Sequence, residues 1–168
     1  SGNVALGAAT TLTVASAATL SGVVSGAYSL TKAGSDELTL SGVNTFSGTT
    51  NVDAGVLTLS GGSALINSMA VTVGASGTLK LASSEEIASL AGAGAVNLQG
   101  NVLSVSGAAD TTFSGVMSGA GSLVKTGAAV FTLSGANTFS GGVTLSEGAI
   151  QAGDNAALGT GTVTFSAG

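Results

Sequence analysis

Residues Leu20–Ser60 read LSGVVSGAYSLTKAGSDELTLSGVNTFSGTTNVDAGVLTLS, and residues Phe113–Gly153 read FSGVMSGAGSLVKTGAAVFTLSGANTFSGGVTLSEGAIQAG. The two segments align without a gap at an offset of 113 − 20 = 93 residues, and nearly half of their positions are identical. Agreement of this extent does not arise by chance. The chain therefore contains an internal repeat, which is the first feature to look for in a sequence of this kind.

Short segments with apolar or β-branched residues at alternate positions occur within and between the two copies. Such alternation is typical of strands with one buried side, and Gly, Ser, Asn or Asp at the segment ends favours turns. The segments are Thr11–Val14, Leu38–Leu40, Val56–Leu59, Val71–Val73, Thr78–Leu81, Val102–Val105 and Thr162–Phe165. They recur about every 18–22 residues in two or three phases, and this spacing is the repeat length of a β-solenoid. The best helical candidate, residues 84–91, is short and runs directly into glycine.

The pattern predicts an all-β chain folded as a right-handed parallel β-helix, or β-solenoid, of about eight rungs, where a rung is one turn of the solenoid. Rungs stacked about 4.8 Å apart would form a rod roughly 40 Å long, with identical positions placed above one another. Val, Leu, Ile and Ala are expected inside, and Gly and Asn at the corners. Because no linker divides the chain, residues 1–168 are expected to form a single solenoid segment with repeat copies at 20–60 and 113–153.

The composition argues against several classes of protein. Charged residues make up 7% of the chain and hydrophobic residues 44%, so disorder from a shortage of apolar side chains is not expected. A net charge of −5 argues against nucleic acid as a partner. Polar residues interrupt every apolar run, and one Tyr, five Phe and no Trp are too few for aromatic girdles, so no membrane insertion of this segment is expected. The absence of Cys fits either chance or export through a secretion channel.

The two copies resemble the passenger-associated transport repeat of bacterial autotransporters. That family's pattern runs roughly G-x-G-x-L-x-K-x-G-x-G-x-L-x-L-S-G-x-N-T-[FY]-S-G. The first copy matches it at Gly26, Leu30, Lys32, Gly34, Leu40, Gly42, Asn44, Phe46 and Gly48. The second copy matches it at Gly119, Leu123, Lys125, Gly127, Leu133, Gly135, Asn137, Phe139 and Gly141. The chain departs from the pattern at Tyr28, Asp36 and Ala129, where the family has glycine.

The resemblance implies a parallel β-helix passenger that is secreted through the outer membrane by a C-terminal barrel outside this chain. It further implies an extracellular location at the bacterial cell surface, either tethered through that barrel or released. In this family the repeat is associated with transport and folding of the passenger, whereas adhesion, autoaggregation or host interaction varies between members.

Two recurring residue types of the repeat can be assigned a structural or a binding role. Asn44 and Asn137 lie between a strand and Thr-Phe, and we expect them to adopt positive φ and bond their own backbone, in preference to forming a ligand-binding turn. Phe46 and Phe139 are expected to pack in the interior and not to serve as a platform for a sugar.

The charged residues are expected to be solvated. Lys32 and Lys125 recur in register and are predicted to be surface charges that oppose aggregation. The carboxylates are Asp36, Glu37, Asp53, Glu85, Glu86, Asp110, Glu147 and Asp154. The adjacent pairs 36–37 and 85–86 would point to opposite sides of a strand, which leaves no pair for glycoside hydrolysis.

No catalytic, cofactor-binding or metal-binding constellation is found in the sequence. His and Cys are absent, so the usual bases, nucleophiles and transition-metal ligands are missing. The calcium-binding pattern G-G-x-G-x-D does not follow either Gly-Gly pair, and Thr-x-Thr does not recur in a regular register as ice binding would require. We therefore expect a protein that is not an enzyme and needs no cofactor.

The sequence indicates a structural or adhesive surface module that acts as a stalk or scaffold for cell-surface adhesion or aggregation. Its expected partners are further copies of itself, end to end or side by side, and ligands on host or neighbouring cells. The alternative is a self-assembling subunit of an extracellular filament or matrix fibre, because neither Ser1–Leu6 nor Phe165–Gly168 resembles a cap that would block pairing. A polysaccharide lyase or hydrolase remains a third class, since a fold does not fix a function.

Overall fold

The computed structural model describes residues 2–67 and 69–166, and all its paired strands run parallel. No helix occurs in this part of the chain, and the strands stack as a β-solenoid of about eight rungs. The predicted all-β parallel solenoid is confirmed. Ser1, Ala167 and Gly168, which belong to the chain ends predicted to be uncapped, lie outside the described residues.

Each rung places three segments on three faces, which we name faces one, two and three in chain order. Face one contains β1 (Val4–Ala5), β4 (Val24–Ser25), β9 (Glu85–Ile87), β12 (Val102–Val105), β15 (Ser122–Lys125), β17 (Val143–Leu145) and β19 (Val163–Phe165). Face two contains β2 (Thr10–Thr13), β5 (Leu30–Ala33), the first half of β7 (Thr50–Leu59), the first part of β8 (Ala70–Leu81), β10 (Ser89–Gly92), β13 (Thr111–Phe113), β16 (Val130–Leu133) and β18 (Ala149–Ala152). Face three contains β3 (Ala18–Leu20), β6 (Glu37–Leu40), the remainders of β7 and β8, β11 (Ala95–Asn97) and β14 (Val116–Ser118).

The rungs are nearly uniform in length. Val4 pairs with Val24, an offset of 24 − 4 = 20 residues that recurs at most strand pairs. The extremes lie on face three, where Thr78 is 22 residues from Val56 and 17 residues from Ala95. The long rung contains an irregularity in register after Val52, so the extra residues are absorbed at one corner without interrupting the stack.

The core is a set of aliphatic ladders that run along the axis. On face three the inward positions pair from rung to rung as Leu38, Leu57, Leu79, Val96 and Met117, all of them buried. Full burial of such a side chain contributes about 1.5–3 kcal/mol, and stacking repeats that gain at every rung. The alternation of apolar and polar residues that predicts the strands therefore also identifies the inward side of each strand.

Glycines at the corner between faces two and three allow consecutive rungs to approach closely. Gly94, Gly115 and Gly135 lie above one another there, each between the strand on face two and the segment that follows. A Cβ atom added to Gly115 would lie 1.7 Å from the carbonyl oxygen of Gly94, and one on Gly135 would lie 1.9 Å from that of Gly115. No side chain larger than hydrogen fits this corner without displacing the backbone.

The two copies of the repeat occupy different faces of the solenoid. Leu30 begins the first copy on face two, whereas its counterpart Leu123 lies on face one. Asn44 then bonds to face one, and Asn137 bonds to face three. The second copy is thus displaced by four rungs and two faces. Equivalent positions of consecutive rungs do lie above one another, but the two copies do not, because each face offers similar inward positions next to a corner.

Candidate functional site

The polar residues of the repeat are buried inside the solenoid. The inward pattern residues are Leu30, Lys32, Leu40, Asn44, Phe46, Leu123, Lys125, Leu133, Asn137 and Phe139, each at most 2% exposed. The pattern glycines are Gly26, Gly34, Gly42, Gly48, Gly119, Gly127, Gly135 and Gly141. At each of these glycines a Cβ atom would lie 1.9–2.7 Å from a backbone atom of the preceding rung. The repeat pattern therefore describes an interior and its corners.

Lys32 is an interior residue, so the prediction that it is a surface charge is wrong. Its side chain lies in the face-two ladder between Leu12 and Val52, with its methylene groups among aliphatic neighbours. The ammonium Nζ donates to the carbonyl oxygens of Ala33 at 3.1 Å, Gly34 at 2.9 Å and Ala54 at 3.0 Å. Because Ala54 belongs to the next rung, the ammonium joins the corners of two rungs.

Lys125 repeats this arrangement on face one, where the surface prediction is wrong for the same reason. It lies in the ladder between Val105 and Leu145 and donates a hydrogen bond to the carbonyl oxygen of Gly127. Burial lowers the pKa of both lysines, partly offset at Lys32 by Asp36 and at Lys125 by Glu147 and Asp110. A long aliphatic stem with a three-donor head suits an inward position next to a corner, where several backbone carbonyls converge on one point.

The two asparagines connect rungs and do not form turns on their own backbone. Asn44 Oδ1 accepts from the amide of Val24 at 2.8 Å, and its Nδ2 donates to the carbonyl oxygen of Ala64 at 2.7 Å. Asn137 makes the equivalent bonds, from the amide of Met117 and to the carbonyl oxygen of Ala157. Within the described ranges, Gln99 is the only non-glycine residue with positive φ, so the positive φ predicted for both asparagines is wrong. A structural role for them agrees with these contacts.

Glu85 is a third buried polar group, and the prediction of a solvated carboxylate is wrong for it. It is 4% exposed and occupies an inward position on face one opposite Leu103, whereas its neighbour Glu86 points outward. The preceding rung has no strand on this face, and its amides at Ala64 and Leu65 donate to the Glu85 carboxylate at 3.3 and 2.9 Å. The carboxylate thus replaces the carbonyl partners that a strand would supply.

Burial raises the pKa of Glu85, and the two amide hydrogen bonds offset only part of that effect. A group whose folded-state pKa is raised retains a proton that the unfolded chain has lost, so stability falls as pH rises from the unfolded pKa through the folded one. We expect the free energy of unfolding of the wild-type chain, relative to Glu85→Gln, to decrease with pH above about 4.3, by at most about 1.4 kcal/mol per pH unit. Urea unfolding at a series of pH values measures the difference.

The matched control is Glu86→Gln, which removes the same charge from the adjacent outward position. The curve of unfolding free energy against pH for wild type is expected to separate from that of Glu85→Gln as pH rises. The Glu86→Gln variant keeps Glu85, so its curve is expected to separate from that of Glu85→Gln over the same pH range. Parallel curves for wild type and Glu85→Gln would contradict the assignment of Glu85 as the titrating buried group.

The remaining charges are at the surface. Asp53, Asp110, Glu147 and Asp154 are exposed, as predicted. Lys80 and Glu37 form an ion pair at 3.5 Å on the outer side of face three. Among residues 2–67 and 69–166, no group of three or more acidic, His or Cys side chains is placed to hold a metal ion. In the same ranges no helix has the length and apolar character of a membrane span.

These features define a parallel β-solenoid repeat protein with polar residues bonded between its rungs. The family model of the passenger-associated-transport-repeat matches residues 30–64 and 123–152, whose starts are again 123 − 30 = 93 residues apart. No curated protein and no solved structure matches the chain. These two matches and the parallel β-solenoid fit an autotransporter passenger repeat domain. This family implies a secreted or cell-surface protein.

Proposed function

We propose that the chain is a structural and adhesive stalk within the exported part of an autotransporter, and that it is not an enzyme. The observation that carries the proposal concerns the buried polar groups. Every buried side-chain nitrogen and oxygen in the described residues has a hydrogen-bond partner. Lys32, Asn44 and Glu85 direct their polar atoms to the backbone of the same or adjacent rungs. The hydrogen bonds of these side chains hold consecutive rungs together, as a rod that carries load requires.

A surface cleft beside Glu85 is the best candidate for an opposing, enzymatic role. It has a volume of about 340 Å³ and is lined by Gly62, Ser63, Asn67, Ser84, Glu85, Glu86, Val102 and Ser104. Both carboxylate oxygens of Glu85 already accept backbone amides, so this group is not available as a base or nucleophile without breaking the rung. The cleft therefore favours a structural role over hydrolysis.

A display experiment tests the stalk. The chain is placed between an outer-membrane anchor and a small antigen on the surface of bacteria that carry a polysaccharide layer. We expect beads coated with an antibody to the antigen to bind cells only when the chain is present, because a rod of about eight rungs at 4.8 Å raises the antigen by roughly 40 Å. Equal capture with and without the chain would contradict the spacer role.

Two further measurements test the other parts of the proposal. Adhesion of cells that display the chain without the antigen measures the adhesive contribution of the chain itself. Turnover of a glycan or peptide that is lost in the Glu86→Gln variant would contradict the non-enzymatic assignment.

A filament subunit is the second candidate, and the last strand supports it. β19 lies at the end of its sheet, where Phe165 is 75% exposed and Val163 is 41% exposed. A further rung would cover both side chains, whether it comes from the same polypeptide or from another copy. Electron microscopy of the isolated 168-residue chain at high concentration distinguishes axial filaments from separate rods.

A further inference from the structure

The sheet on face one is interrupted between β4 and β9, whereas the strands of faces two and three continue past this point. β1 and β4 form a separate two-stranded sheet, and β9 is the end strand of the five-stranded sheet. The rung that precedes β9 has residues 61–67 in place of a face-one strand. These residues, called the strap below, lie in the connection from β7 to β8 and cover β9 without pairing with it as a strand.

Side chains carry the hydrogen bonds across this gap. The amide of Val24 donates to Asn44 Oδ1, and Asn44 Nδ2 donates to the carbonyl oxygen of Ala64 in the strap. The amides of Ala64 and Leu65 then donate to the two carboxylate oxygens of Glu85 on β9. Both of these amides therefore depend on one side chain, at a place where neighbouring strands such as β12 and β15 are joined by a ladder of backbone pairs.

The strap has little else to hold it closed. Of its seven residues only Ala64 and Leu65 are buried. It begins at Gly61 and Gly62, whose φ angles of 93° and 73° turn the backbone away from the direction of β7. The cleft of about 340 Å³ described above runs along the strap and reaches the Glu85 side chain, so water has access to the contact between them. Segments with few buried apolar side chains and solvent close to their hydrogen bonds have a low free energy of local unfolding.

We propose that the strap opens and closes as an independent unit while the strands on both sides stay paired, and that Glu85 is the group that holds it closed. β7 and β8 anchor the two ends of the connection, because they pair with each other along most of their length. Opening separates the amides of Ala64 and Leu65 from the carboxylate and admits water to the edge of β9. The structure thus contains a conformational device in an otherwise continuous stack.

The device responds to pH because opening hydrates a carboxylate that is buried in the closed form. Burial raises the pKa of Glu85 in the closed form, and opening returns it toward the ordinary value of about 4.3. The strap, β10 and β12 contain no charged residue, Glu86 points outward, and Lys80 of β8 pairs with Glu37 on the outer side of face three. The closed strap therefore retains a proton that the open strap releases, so opening becomes more favourable as pH rises between the two pKa values.

Hydrogen exchange of the wild-type chain, followed by NMR, tests whether the strap opens independently. The measured quantity is the protection factor, which is the ratio of the intrinsic exchange rate of an amide to its observed rate. We expect the amides of Ala64 and Leu65 to have protection factors at least about a hundredfold lower than those of β7 and β8, and to be insensitive to low concentrations of urea. If their protection instead fell with urea in step with that of β7 and β8, the strap would open only with the whole molecule, and the proposal would be wrong.

The same protection factors, measured over a series of pH values, test the role of Glu85. Above a pH of about 4.3 we expect those of Ala64 and Leu65 to fall by up to about tenfold per pH unit, and to level off above the raised pKa. The amide of Met117 is the matched reporter, because it donates to Asn137 Oδ1, a side-chain oxygen that does not titrate, and its protection should not change.

Two variants complete the test. Glu85→Gln removes the titrating group and should make the protection factors of Ala64 and Leu65 independent of pH. Glu86→Gln removes a charge from the adjacent outward position and should keep the wild-type profile. Protection of Ala64 and Leu65 that does not change with pH in the wild-type chain, or that changes equally in Glu85→Gln, would overturn the assignment. The comparison with Met117 is made within the wild-type chain, so it decides the question even if Glu85→Gln does not fold.

Discussion

The Gly115→Ala variant is expected to lose about 4 kcal/mol or more of unfolding free energy, a value at the upper end of single-substitution effects. The added methyl group would lie 1.7 Å from the carbonyl oxygen of Gly94, well inside van der Waals contact. Since the obstacle is backbone in the adjacent rung, relief requires the two rungs to separate and weakens the pairing on both sides of the corner. Urea unfolding followed by circular dichroism measures the loss.

Gly100→Ala is the matched control, because no atom lies within 4 Å of the position its Cβ would take and its φ is not positive. Its effect should stay within about 0.5 kcal/mol, as for other surface substitutions. If the two variants unfolded at the same urea concentration, close contact between rungs at the glycine corner would not be a determinant of stability.

The second large effect is expected for Lys32→Ala, at about 3 kcal/mol. The substitution removes a buried aliphatic stem and one donor from each of three corner carbonyls, of which that of Ala33 still accepts from the amide of Val14. Lys80→Ala removes the same charge from a half-exposed ion pair and should cost less than about 1 kcal/mol. Urea unfolding of both variants under one buffer condition gives the comparison.

Lys32→Met separates the two contributions to the Lys32 effect. Methionine retains most of the stem's volume but cannot donate, so a loss of about 1 kcal/mol would measure the carbonyl contacts apart from packing. A Lys32→Ala variant no less stable than Lys80→Ala would show that the interior lysine does not connect rungs.

The strands and their inward sides could be predicted from the sequence, because the alternation of apolar and polar residues along a strand reflects which side chains are buried. In segments such as Val102–Val105, residues two apart point to the same side, and the side with Leu and Val is the inner one. Phe46 and Phe139 were predicted to be packed, and both are buried. The solenoid follows from repeating that alternation at a constant spacing.

The sequence does not show the buried polar groups directly, because their residue type indicates the surface while their position in the alternation indicates the interior. Lys32 is two residues after the buried Leu30, and Glu85 is two residues before the buried Ile87, so alternation places both inside. A charged residue on the inner side contradicts the usual rule for burial, and only the coordinates show which backbone groups compensate it. For Glu85 the compensating amides belong to a rung that has no strand on that face, which no local pattern predicts.

The displacement of the second copy by two faces has a consequence for how such chains change in length. The 93-residue offset spans 4 × 3 + 2 = 14 faces, or about 6.6 residues a face, so the smallest unit that preserves the stack is a single face. Duplication or deletion of one such unit leaves alternation and corners intact but turns everything downstream by a third of a revolution about the long axis. The direction in which a distal segment projects from the rod can therefore change by whole units at the corners, with no change to the interior that holds the rod together.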